Sequence, residues 1–196
     1  MAYFTINEAR QAAQAEVRKS YRANSRSILE EVSKTTSFYE EFDVFLSHSI
    51  NDADLVLGVK VLLEMKGLKV YVDWYDDPQV SRDNVTSETA ELLRKRMKQS
   101  KSLIYIATKK SPESKWMPWE LGYFDGFSGG SVAILPLLES SNSSFVGQEY
   151  LDLYSRVEKG YYTDTGGPET FVKKSTGWMT VNRFGKGSGV WSQYTR

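Results

Sequence analysis

Between residues 42 and 138 short apolar runs alternate with helical repeats, and that alternation restricts the chain to one fold class. The runs "FDVFLS" (42–47), "LKVYVDW" (68–74), "SLIYIAT" (102–108) and "VAILPLL" (132–138) are strand-length and rich in branched and aromatic side chains. Between them, "DADLVLGVKVLLEMKG" (52–67) reads as a helix stopped by Gly67, and "ETAELLRKRMKQS" (88–100) as a second helix. Strands interleaved with helices predict an α/β fold whose central parallel sheet is joined by right-handed crossovers. Ligands bind such sheets beyond the carboxyl ends of the strands. That rule selects three stretches: "SHS" (Ser47, His48, Ser49), "DW" (Asp73, Trp74) and the segment leading to Glu120.

The flanks read differently. Thr5 and Glu8 have capping-box spacing, and Ile6, Ala9, Ala13, Val17, Tyr21, Ile28 and Val32 follow a helical period, which predicts one helix over 5–34. Its stripe is narrow and alanine-rich, suited to docking on a neighbour. The polar "SKTTS" (33–37) separates it from the first strand, giving an N-terminal helical extension over 1–38 and a main domain over 39–160. Within the latter, "FVGQEYLDLYSRVEKGYY" (145–162) predicts a further helix and an edge strand. A glycine- and aromatic-rich C-terminal extension over 161–196 shows no clear period. The polar "YDDPQVSRDNVTS" (75–87) is too long for a simple connector and reads as a lid.

Composition narrows the chemistry. Twenty-five basic and twenty-five acidic residues cancel, so no global field recruits nucleic acid or an anionic membrane. No membrane-length apolar run or signal-peptide core is present, which predicts a soluble, cytoplasmic protein. Cysteine is absent and His48 is the only histidine, so no metal centre of the usual ligands is expected. The acids of "DWYDDP" lack EF-hand spacing and suit a solvated loop about as well as a cation site. His48 reads as a loop residue donating a hydrogen bond, because adjacent Ser47 cannot reach it in triad geometry. "GKGSG" near the C-terminus lacks P-loop spacing and reads as a turn.

Glu120 stands among Trp116, Trp119, Tyr123 and Phe124. Proline is tolerated only in a helix's first turn, so Pro118 predicts a start near Met117 with Glu120 inside that turn. There the helix dipole favours an ionised carboxylate by roughly 0.3–1 kcal/mol. Trp116, one turn earlier, walls one side of it. A catalytic carboxylate and an ordinary first-turn glutamate suit these residues equally well.

Taken in order, "FDVFLSHSINDAD" (42–54), "GLKVYVDW" (67–74) and "SKWMPWELGYFDG" (114–126) resemble a bacterial TIR (Toll/interleukin-1 receptor homology) domain over about residues 40–140. The resemblance implies a flavodoxin-like fold and an enzyme that hydrolyses or cyclises NAD, taken as substrate, with no resident cofactor. It assigns the catalytic role to Glu120 and substrate binding to Ser47, His48, Asp73, Trp74 and Trp116, with a ligand-covering loop over roughly 74–87. It further implies a homo-oligomer through TIR–TIR contacts and a Thoeris-like antiphage role, the product being sensed by a separate effector.

The chemistry agrees. Ordinary glycosidases use two carboxylates because the leaving oxygen must be protonated. Nicotinamide leaves from a cationic nitrogen and departs neutral, so one carboxylate suffices to oppose the positive ribosyl centre. Trp116 or Trp74 is then expected to stack on a substrate ring, a contact worth ~0.5–2 kcal/mol for a pyridinium. Two alternatives are a TIR scaffold without useful catalysis and a deoxyribosyltransferase-like enzyme. The "FLSHS" opening disfavours the second.

Overall fold

The computed structural model describes residues 2–49, 53–74, 86–141, 143–162 and 166–194. A two-residue strand, β1 (Phe4–Thr5), runs into α1 (Ile6–Ser20), followed by α2 (Ser25–Thr35). Next come β2 (Phe42–Ser47), α3 (Ala53–Glu64), β3 (Val70–Val72), α4 (Ser87–Lys98), β4 (Ser100–Ala107), α5 (Trp116–Ser128) and β5 (Val132–Leu138). The chain closes with β6 (Ser155–Tyr161), β7 (Pro168–Lys174), β8 (Gly177–Thr180), α6 (Val181–Gly185) and β9 (Ser192–Gln193).

Among the described residues these strands form one sheet in the order β3-β2-β4-β5-β6-β7-β8-β9, with β1 also paired to β5. The first five are parallel, the α/β arrangement that the alternating sequence predicts. Side chains alternate between two buried faces. Val44, Leu46, Ile104, Ile106 and Leu135 lie on the face covered by α1, α3 and α6. Phe45, Leu103, Tyr105 and Ile134 lie on the face covered by α4 and α5, against Leu93, Met97, Leu121 and Phe124. Among the described residues no helix is long and apolar enough to cross a membrane.

The N-terminal segment departs from the single helix expected over 5–34. Tyr21 takes a left-handed conformation (φ +56°), and Asn24 caps a new helix by accepting from the Ser27 amide at 2.9 Å. The capping box at Thr5 and Glu8 forms as its spacing predicts, with Glu8 Oε2 accepting from the Thr5 amide at 2.7 Å. The alanine stripe docks within the chain. Ala9 and Ala13 are buried against α3, where Gly58 has no room for a side chain: a Cβ there would stand 1.9 Å from the Ala9 carbonyl oxygen. Self-association through this stripe, one expectation from sequence, therefore loses its surface.

The tail differs as well. β6 is no edge strand but lies between β5 and the antiparallel β7, and the aperiodic residues beyond 166 extend the same sheet. α6 then folds back under the sheet, its Asn182 side chain donating to the Lys66 carbonyl at 2.6 Å. Gly185 is pressed against Leu68 and Val44.

Two outcomes follow from the N-terminal seam. Gly58→Ala places a methyl inside the Ala9 backbone, and overpacking of this kind costs about 1–3 kcal/mol. At roughly 2–4 °C per kcal/mol for a chain of this size, the melting temperature should fall several degrees; an unchanged melt would mean that α1 is not seated on α3. The second concerns Glu8. Burial opposes its charge, but hydrogen bonds from Lys159 and Thr5 outweigh that and hold its carboxyl below the ordinary value. Its contribution is thus complete above the ordinary carboxylate range and lost as pH falls through the lowered value. Glu8→Gln should flatten the acid limb of a melting-temperature profile below about pH 4.5; an acid limb identical to wild type would contradict this.

Candidate active site

α5 begins at Trp116, earlier than Pro118 suggests, so Glu120 is the fifth helical residue and lies beyond the first turn. The expectation of a first-turn carboxylate is corrected accordingly, and Glu120 is completely buried, facing the sheet. The start is earlier because Ser114, upstream of the aromatic run, accepts from the Met117 amide at 3.2 Å, while Pro118 still falls where no amide is needed. Surface dipole arguments no longer describe this group. A carboxylate taken out of water requires hydrogen bonds in exchange.

One donor comes from the last residue of β2. The Ser47 hydroxyl, itself 1% exposed, donates to Glu120 Oε2 at 2.6 Å, joining residues 73 positions apart. Ser47 reaches the carboxylate because a strand's side chains alternate, and position 47 shares the α5 face with Phe45. In the parallel register Ser47 pairs with Tyr105 of β4, which brings a third polar group to the same place. The Tyr105 hydroxyl is fully buried and makes no well-formed hydrogen bond to any described residue. Burial pushes its pKa far above the ordinary value, and neighbouring Tyr150 and Glu120 push it further, so the phenol stays protonated and can only donate toward a carboxylate. Tyr150 donates in turn to Gln148 Oε1 at 2.8 Å.

Trp116 is buried one turn before Glu120 and meets Trp119 edge-on at 5.4 Å. From there an aromatic ladder climbs α5: Trp119 stacks on Tyr123 at 5.6 Å, and Tyr123 touches Phe127 at 5.4 Å. Arg94 of α4 lies over the Trp119 ring at 5.4 Å.

The other expected residues divide between the two faces. His48 is buried, and its Nε2 lies 3.2 Å from the Asp73 carbonyl; a carbonyl only accepts, so Nε2 carries the proton. Its ring stacks on Trp74 at 5.7 Å, and Arg26 of α2 lies over the same indole at 5.9 Å. Trp74 is thus buried on the α1/α3 side, held between a histidine and an arginine of the N-terminal extension. The expectation that it stacks on a substrate ring does not match this packing. Asp73 is buried as well, with the Tyr71 hydroxyl 3.5 Å from its Oδ1. Most of the expected lid, 75–85, lies outside the described residues.

Beyond the carboxyl ends of β2, β4 and β5 opens a cavity of about 490 Å³, with His48, Ser49 and residues 106–110 among its walls. Sequence reasoning located this edge but missed Tyr105. In "SLIYIAT" a tyrosine reads as one more core residue, and only the strand register pairs it with Ser47.

Comparison with known proteins agrees with this architecture. The family model described as "TIR domain" matches residues 44–163. A protein of Bacillus cereus (strain MSX-D12) named "Probable 3' cyclic ADP-D-ribose synthase ThsB'" is 43% identical over 180 residues, covering 89% of this chain and 93% of that one. A second, from Cytobacillus dafuensis and named "Putative cyclic ADP-D-ribose synthase TIR2", is 34% identical over 83 residues, covering 42% of this chain and 22% of that one.

Ser47→Ala removes the donor while leaving the carboxylate buried, a loss of about 1–3 kcal/mol. Urea denaturation of Ser47→Ala, Glu120→Gln and the double variant should show the double losing clearly less than the sum of the singles. Additivity within about 0.5 kcal/mol would mean that the two side chains are not coupled.

Proposed function

The chain belongs to the TIR domain family, and from that premise we propose that it is an NAD-cleaving cyclase, releasing nicotinamide and a cyclic ADP-ribose-type messenger in antiphage defence. The observation that carries the catalytic assignment is the Ser47–Glu120 hydrogen bond, which holds a carboxylate at the sheet edge where ligands of parallel sheets bind. The likeness to a protein named as a cyclic ADP-D-ribose synthase, over nearly the full length of both chains, supports the reaction type.

Glu120 opposes the positive charge that develops on the ribose as the bond from C1″ to the nicotinamide nitrogen breaks. Nicotinamide keeps the bonding electron pair and departs neutral, so no general acid is needed. Ser47 holds one carboxylate oxygen in place, and the protonated Tyr105 phenol supplies a second donor to the same neighbourhood. Preorganised groups of this kind need no rearrangement as charge develops. Trp116 forms the aromatic wall, and His48 with Asp73 fixes the mouth of the β2 loop. With Glu120 wholly buried, the ribose reaches it only once the covering side chains move. NAD enters as a substrate, and the site holds no cofactor. The protein works in the cytoplasm as a homo-oligomer through TIR–TIR contacts, and a separate effector senses its product.

A second reading, a TIR scaffold that does not turn over NAD, is favoured by that complete burial of Glu120. Mass spectrometry of NAD incubated with the purified protein separates the two: nicotinamide release marks the enzyme, and its absence at high protein concentration and in phage-infected lysate marks the scaffold. The partner product's mass distinguishes a cyclic species from the linear one, which is heavier by one water. Glu120→Gln should slow nicotinamide release on the order of 10²–10³-fold, as expected for loss of one preorganised electrostatic contact. Full activity in that variant would remove Glu120 from the chemistry.

A further inference from the structure

Leu46 of β2 pairs with Val72 of β3 in parallel register, and His48 and Trp74 follow them by two residues each. Side chains alternate along extended chain, so both rings return to the face of Leu46 and Val72. Trp74 accordingly belongs to the core on the α1/α3 side, and its indole stacks on the His48 imidazole at 5.7 Å, 22° from parallel. The adjacent Ser47 is turned to the other face, where it bonds Glu120. One strand end thus holds the carboxylate with one residue and presents an imidazole with the next.

The third member of the stack comes from α2. Asn24 caps that helix, and Ser25 and Leu29, four residues apart, bury one side of it. Arg26, next to Ser25, is exposed, and its guanidinium stands 5.9 Å from the centre of the Trp74 ring, which is itself buried. A cation over an indole is attracted by the ring quadrupole, and at an exposed arginine the contact is worth a factor of about 2–5 in an equilibrium constant. At the inner end of the stack, His48 Nε2–H donates to the Asp73 carbonyl at 3.2 Å. Ring plane and tautomer of His48 are therefore both set. In the neutral ring Nδ1 can then only accept, which suits a ribose hydroxyl.

We propose that Arg26 is a positioning residue for substrate binding: by holding Trp74 against His48, it fixes the imidazole that meets the ribose of NAD. The inference rests on the NAD-cleaving reading. Arg26 acts at one remove from the substrate and belongs to the N-terminal extension, ahead of the TIR segment. Its effect runs through His48 and not through Ser47, whose hydroxyl is bonded to Glu120 on the opposite face. Loss of the cation therefore weakens NAD binding and leaves the bond-breaking step untouched. Only a positive charge over the ring is needed, so lysine can take the place of arginine.

His48 is the only histidine of the chain, so full-length protein labelled with ¹³C-histidine gives one imidazole signal. At fixed pH, Arg26→Ala should move that signal toward its position in the unfolded chain, and Arg26→Lys should return it toward wild type. NAD titrated calorimetrically into Glu120→Gln protein should bind about 2–5-fold more weakly once Arg26→Ala is added. Arg26→Lys should restore the affinity, and Arg26→Glu, which sets a negative charge against the ring face, should weaken it further. In the active protein, Arg26→Ala should raise KM for NAD by the same factor with kcat for nicotinamide release unchanged, whereas Ser47→Ala should lower kcat. Arg26 is exposed, so all variants should melt within a few degrees of wild type; if Arg26→Glu does not fold, the alanine and lysine variants decide. A histidine signal that none of the substitutions moves would overturn the proposal. A moved signal with unchanged NAD affinity would do so too, since the stack would then be packing alone. Absence of nicotinamide release by the wild type would instead overturn the reading beneath it, while NAD affinity in the Glu120→Gln series still reports on Arg26. Failure to bind NAD at all would overturn both.

Discussion

A carboxylate with no exposed surface, held by one serine hydroxyl at 2.6 Å, sets the terms for the surrounding fold. Burying such a group among aromatic rings is unfavourable unless several elements deliver donors to one point. β2 must end at Ser47, β4 must carry Tyr105 in register with it, and α5 must start at Trp116 so that position 120 faces inward. A shift of one residue in any of these elements would send its polar group to the opposite face or into solvent. α4, through Leu93 and Met97, and the aromatic-bearing α5 cover this face, while α1 and α3 close the other face of the sheet.

The segments outside the central unit are structural members of it. α1 meets α3 so closely that only glycine fits at position 58. α2 reaches across to place Arg26 over Trp74, which in turn stacks on His48 at the sheet edge. At the other end of the strands, α6 sits against β2 and the turn that precedes β3. The two edges of the sheet are therefore buttressed from opposite ends of the chain, the carboxylate-bearing one by α2 and the other by α6. His48 and Trp74 are thereby packed ring against ring, with His48 also bonded to the Asp73 carbonyl.

How much of this was legible beforehand depended on the range of the interaction. Strands β2, β4 and β5 and helices α3 and α4 were readable because a repeating local pattern specifies each. The capping box at Thr5 was readable for the same reason. The break at Tyr21 was not, because the apolar period continues across it and only the Asn24 cap interrupts the helix. The depth of Glu120 and the part of Tyr105 depend on cross-strand register, a property of pairs distant in sequence. The C-terminal strands were hidden because each takes its partner from the strand before it, and β8 and β9 are too short to carry a period of their own.

β5 shares one flank between two strands: β6 pairs along its first residues and β1 along its last. The two neighbours are themselves joined where Ala2 bridges to Lys159, and Lys159 also bonds Glu8. Glu8 is thus completed by a residue that follows it by 151 positions. During synthesis the N-terminal arm must wait, since contacts between distant positions form only after the intervening chain has emerged and closed its loop. The N-terminal arm is consequently completed only once β6 has emerged, and a ribosome-bound fragment ending before β6 would carry α1 without the Lys159 contacts at Ala2 and Glu8.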